Sequence, residues 1–182
     1  LSQQNMREID RLIGELINAA SDLEIVITAD HGMRAKTQGL DLEAILAAER
    51  IAARAVQIIK DRHVIHHRNL GGAAYIYLND PATEEAAIAV LREETGIEAI
   101  LSRADASRHY HLHPGRIGDL FLLADRDTVF GTLSAPREHL AVRSHGSLHE
   151  RTVPIYVYGP GPLAVRPRSN PEVATWLFAD PR

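Results

Sequence analysis

The run "LEIVITADHGMRAKT", residues 23–37, limits the fold more than any other stretch of the chain. Leu23 to Ala29 is rich in β-branched residues and too apolar to face water. It predicts a buried strand of the kind found in a parallel sheet covered on both sides. The strand stops at an acid, a histidine and a glycine. While a chain stays extended, adjacent side chains point to opposite faces. Asp30 and His31 can therefore converge only once the strand has ended, and Gly32 is expected to permit the turn. Open α/β sheets carry their functional groups beyond the carboxyl ends of strands. An oxygen and a nitrogen donor at such an end suit zinc or another divalent first-row ion. The alternative is a loop capped by Asp30 beside an ordinary hydrogen-bonded histidine.

Ahead of this strand, Met6, Ile9, Leu12, Ile13, Leu16 and Ile17 recur at the spacing of one helix face. Helix followed by buried strand is an α/β signature. A second histidine–glycine pair, His145 and Gly146, stands in "RSHGSLHERTVPIYVYG", just before another apolar strand. The two junctions read as two sides of one crevice, or the second as a polar surface loop; His149 is a competing ligand. Between them the pattern changes. Leu42 to Ile59 is helix-compatible, with Ile45, Leu46, Val56 and Ile59 as core contacts. Residues 73–80 form a strand, Asp80 caps a helix that Pro81 opens, and the helix ends near Gly96. Residues 97–102 and 116–131 add further strands, and a short helix is expected from Pro171 to Phe178. The expected architecture is a layered α/β core over residues 1–37 and 141–182, interrupted by a small α+β cap over residues 38–140.

Composition removes several functions. With no cysteine, thiolate zinc sites, disulfides and a cysteine nucleophile are all excluded, and a reducing, cytoplasmic setting fits. A net charge of −4 offers no basic surface to nucleic acid. No apolar run approaches the roughly 20 residues of a membrane helix. The chain opens at Leu1, already inside a helical pattern, and reads as the later part of a longer protein.

Taken together, "TADHGM", "RIGDLFLLADRDTVFG" and "RSHGSLHERTVPI" resemble the alkaline phosphatase superfamily in its phosphodiesterase-like branch. Within that branch the cap segments "HHRNLGGAAYIYL" and "GIEAILSRADA", together with "RSHG", look like those of the phosphonoacetate hydrolases. The resemblance implies an incomplete alkaline-phosphatase-like core with a ferredoxin-like cap, and two Zn2+ ions per complete site. Asp30 and His31 would bind the zinc that activates a threonine nucleophile, and His145 would bind the other. It implies zinc-dependent hydrolysis of the C–P bond of phosphonoacetate to acetate and phosphate through a phospho-threonine. The alternative within the superfamily is a type I nucleotide phosphodiesterase/pyrophosphatase. The threonine, an aspartate ligand and an Asp-x-x-x-His pair have no match here and are expected upstream. The chain alone is thus expected to be inactive, with no catalytic nucleophile of its own. Its partner would be a small anionic phosphonate or phosphate ester, with no nucleic acid and no membrane; a homodimer is left open.

Other histidines offer weaker patterns. If "HYHLH" were extended, His109, His111 and His113 would share a face as a ligand strip, against the plainer reading of a solvated turn. His66, His67 and Arg68 could reach a substrate from the cap or simply lie on its surface. Lys36 and Arg143 flank the two histidine motifs as anion-binding candidates or as ordinary loop charges. Tyr75, Tyr77, Tyr156 and Tyr158 are expected to pack along strands.

Overall fold

The computed structural model describes residues 2–20, 23–59, 69–159 and 167–177. His66, His67 and Arg68 lie outside them, as do residues 160–166 and Phe178. The chain divides into two compact units, residues 1–30 with 153–182 and residues 31–152. The sequence-based division falls instead at 37/38 and 140/141.

In the first unit, helix α1 (Ser2–Ala19) precedes strand β1 (Ile25–Thr28), which pairs with β9 (Ile155–Tyr158). Helix α5 (Asn170–Leu177) follows. Here the expectation of a parallel, doubly covered strand is corrected. The β1–β9 pairing is antiparallel, Ile27 opposite Tyr156, and the residues of β1 are half-buried to exposed. An apolar run reports that burial is favourable; it does not report the direction of a neighbour. Tyr156 and Tyr158 are 65% and 44% exposed rather than packed. The end of β1 is held firmly. Thr28 Oγ1 donates to the Pro154 carbonyl at 3.0 Å, and Asn170 Nδ2 donates to the Ala29 carbonyl at 2.8 Å.

Among its described residues the second unit contains two sheets. Strand β2 (Arg34–Leu40) lies between β7 (Thr128–Phe130), parallel to it, and β8 (Arg137–Ser144), antiparallel. The larger sheet has the order β3–β4–β6–β5, all neighbours antiparallel, from β3 (Ala53–Gln57), β4 (Ala73–Leu78), β5 (Ile97–Ser102) and β6 (Leu120–Ala124). Helices α2 (Leu42–Ala48), α3 (Glu84–Arg92) and α4 (Arg103–Tyr110) accompany it.

Side-chain alternation on β6 explains why that strand reads as a continuous apolar run. Leu120, Leu122 and Ala124 enter a core with Leu46, Ile76, Leu91 and Phe130, while Phe121 and Leu123 enter a second core with Ala73, Ala106 and Ile117. Both faces are covered, so no position on the strand can be polar.

Two local expectations change. The helix expected over residues 42–59 stops at Ala48. Arg50 takes φ 62°, and Ile51 N–H donates back to the Leu46 carbonyl at 3.0 Å, closing the helix end. The following residues pair as β3 against β4, a long-range partner outweighing local helix preference. "HYHLH" is not extended either. His109 and Tyr110 end α4, His111 is its left-handed cap at φ 54°, and the His113 Nδ1 accepts from Gly115 N–H at 3.1 Å. The three rings share no strand face, so the ligand strip is lost. Asp80 does cap as expected, accepting from Ala82 N–H at 2.9 Å.

Candidate metal centre

Within the second unit, His31 precedes β2 and His145 follows β8. Those strands pair antiparallel from Arg34 opposite Ser144 onward, so the start of one meets the end of the other. Pairing therefore brings the two histidines together. Their rings stack with centroids 3.5 Å apart and planes 12° from parallel. The His31 Nδ1 lies 2.8 Å from the Gly32 carbonyl oxygen, which can only accept. Nδ1 is thus the donor in this contact, an arrangement that orients histidine ligands.

Gly32 does not serve as expected. It lacks the left-handed conformation, and its role is close approach: a Cβ there would stand 3.1 Å from the Glu150 carbonyl oxygen. That oxygen accepts from Gly32 N–H at 2.6 Å. Gly146 is the glycine that needs its freedom, at φ 102°.

The His145 segment is anchored on both sides. Ser144 Oγ donates to the Leu70 carbonyl, and Gly72 N–H donates to the His145 carbonyl at 2.8 Å. Ser147 then caps a short 3-10 turn. Its N–H and Oγ both donate to Glu150 Oε2, at 2.9 and 2.7 Å. Glu150 Oε1 sits 2.9 Å from Lys36 Nζ, which also donates to the Arg126 carbonyl at 2.9 Å. Burial pushes the Glu150 carboxyl up; the Lys36 ammonium and the Ser147 donors outweigh it and hold the group below its ordinary value.

Of the two readings the sequence offered for Lys36, an anion-binding group or an ordinary loop charge, the structure gives neither: the residue lies buried on β2, held by Glu150 and a carbonyl. Arg143 keeps an exposed position and donates from Nη2 to the Met33 carbonyl at 3.2 Å. His149, the competing ligand, is engaged elsewhere: its Nε2 lies 2.6 Å from Glu98 Oε2. Asp30, exposed, is the last residue of the first unit. The sequence missed Glu150 altogether. Its signal was the Ser-x-x-Glu capping pattern "SLHE" directly after the His-Gly pair.

The donor types of His31 and His145, two imidazoles brought together, suit a zinc-class ion. The donor number does not complete a shell of about four. Among the described residues no group of three or more histidines and acids gathers to hold a metal.

With three sheets and five α-helices among the described residues, the chain has the alkaline-phosphatase-like fold of known structures. Residues 2–148 match the type I phosphodiesterase / nucleotide pyrophosphatase family, and the chain belongs to it, within the phosphodiesterase-like part of the alkaline phosphatase superfamily. Phosphonoacetate hydrolase from Sinorhizobium meliloti, solved with phosphonoformate, is 31% identical at a TM-score of 0.73, over 90% of this chain and 41% of that one. The same enzyme solved with phosphonoacetate gives 30% identity and a TM-score of 0.71, over the same shares. Murine ectonucleotide pyrophosphatase/phosphodiesterase 5 shares the fold at 17% identity and a TM-score of 0.58, over 84% of this chain and 40% of that one. The chain spans about two fifths of the length of these structures. The family and its neighbours are hydrolases of the phosphodiesterase/phosphatase superfamily. Among the described residues no helix is long and apolar enough to cross a membrane.

Proposed function

We propose that these residues serve a zinc-dependent hydrolase that cleaves the C–P bond of phosphonoacetate, giving acetate and phosphate. The observation that carries this reading is the stacking of His31 on His145, two rings from distant segments held at one place. The likeness to an enzyme crystallised with phosphonoacetate supports the choice of substrate. Asp30 and His31 would hold one Zn2+ and His145 the other. When bound, such ions lower the pKa of a nucleophile and neutralise charge on the leaving group.

The chain's own residues prepare the site. His31 Nδ1 contacts the Gly32 carbonyl, which would hold the ring's orientation for coordination. The anchored Ser144–Glu150 segment fixes where the His145 backbone stands. Three donors cannot fill two shells of about four, so the reading assigns the other ligands and the threonine nucleophile to a further part of the protein. That threonine would attack phosphorus, acetate would leave as its enolate and take a proton, and water would release phosphate from the phospho-threonine. The reading treats residues 1–37 and 141–182 as the metal-binding core and 38–140 as the cap. Its partner is a small anionic phosphonate or phosphate ester, in a cytoplasmic setting that a cysteine-free sequence suits.

The test is phosphate release from phosphonoacetate by the intact, zinc-loaded protein, beside turnover of a nitrophenyl nucleotide ester. Phosphonoacetate should be hydrolysed, and His145→Ala should abolish the activity. Good cleavage of the nucleotide ester with no phosphate from phosphonoacetate would replace this reading with a nucleotide phosphodiesterase/pyrophosphatase, which the family match over residues 2–148 favours as the second choice.

A further inference from the structure

Lys36 and Glu150 are oppositely charged and almost wholly buried, 1% and 3% exposed, and neither is a donor in the reading above. Stability alone does not account for such a pair. The desolvation of two buried charges roughly offsets their attraction, and apolar side chains of similar volume often serve as well. What the pair does supply is a specific geometry.

Lys36 stands five residues after His31, and Glu150 five residues after His145. The ion pair thus ties together the two segments that carry the stacked rings. Glu150 contacts both sides at once. Its carboxylate receives Lys36 of β2 and the Ser147 cap, while its carbonyl receives Gly32 N–H, next to His31. The ammonium is held at its other side by the Arg126 carbonyl, so it has little freedom to seek another partner.

We propose that the Lys36–Glu150 pair is a positioning device that holds His31 and His145 in register for metal binding. The inference rests on reading both histidines as zinc ligands. Neither Lys36 nor Glu150 touches substrate or metal; both act through the segments they join.

Zinc affinity of the intact protein, measured by competition with a chromophoric chelator, reads this directly, and visible absorption of the cobalt(II) form reads the geometry. Lys36→Met and Glu150→Gln should each weaken zinc about 10- to 100-fold, the usual effect of losing support behind a ligand. Lys36→Met/Glu150→Gln removes both charges and keeps an oxygen for Ser147. It should regain the thermal stability lost in Lys36→Met while zinc binding stays weak and the cobalt spectrum stays altered. Recovery of zinc affinity together with stability would reduce the pair to a structural contact and overturn the proposal, as would wild-type affinity in either single variant. Should Lys36→Met fail to fold, Glu150→Gln and the double variant decide the matter. His145→Ala separates the two levels: unchanged zinc binding there removes the metal reading itself, whereas weakened binding there with normal binding in Glu150→Gln removes only the positioning role.

Discussion

The two units handle apolar residues in opposite ways. Residues 31–152 surround a four-stranded sheet on both faces, and Leu46, Ile76, Leu91, Leu120 and Leu122 have no exposed surface. Residues 1–30 with 153–182 set a long amphipathic helix and a two-stranded sheet, yet Met6, Ile9, Leu12 and Leu16 remain at least half exposed. An apolar residue stabilises a fold only in proportion to the area it loses from water. The same hydrophobic pattern is therefore worth much in one unit and little in the other.

Four substitutions sharpen or break that contrast, beginning with the largest expected effect. Lys36→Met strands the buried Glu150 carboxylate and should cost about 3–5 kcal/mol, seen as a lower urea midpoint for residues 31–152. The sign with pH follows from the depressed Glu150 value. Its stabilising contribution is present above the unfolded-state value and is lost as pH falls through the lower folded-state value. The gap between wild type and Lys36→Met should narrow on acidification; a gap that widens in acid contradicts the pairing.

Leu46→Ala should cost about 2–5 kcal/mol, as a cavity in a closed core does. Leu12→Ala, on a side chain 50% exposed, should stay within about 1 kcal/mol. Equal losses would show that the helix face is covered in solution as fully as the sheet.

A small gain rather than a loss is expected at Thr128. Its Oγ1 is buried without a hydrogen-bond partner among the described residues. Thr128→Val keeps the shape and removes the unsatisfied hydroxyl, and should raise stability by about 1 kcal/mol. A loss on thermal melting would mean that the hydroxyl has a partner in solution.

Much of this was readable from residues whose neighbours in sequence decide their state. The periodic face of α1, the apolar strand at Ile25–Thr28 and the Asp80–Pro81 helix start are local signals, and each stands in the structure near its expected place. Strand β2 was not legible. "RAKTQGL" has no apolar alternation, and it becomes a strand because β7 and β8 flank it. A bulge between Lys36 and Gln38 shifts its register. A lysine on such a strand reads as solvated until its partner is known. "HYHLH" misled for the converse reason: three alternating histidines share a face only in an extended backbone, and α4 runs through the first of them.

The sequence by itself determined the chemistry on offer: Asp30, His31 and His145 as donor types, glycines beside both histidines, no thiol, and a strand ahead of the first pair. Only the tertiary structure decided which groups meet. His31 reached His145 because β2 and β8 run antiparallel with Arg34 opposite Ser144, His149 turned to Glu98, and Lys36 turned inward to Glu150. Proximity between distant residues is set by strand pairing and by the cost of leaving a charge unpaired, and neither is written in local spacing.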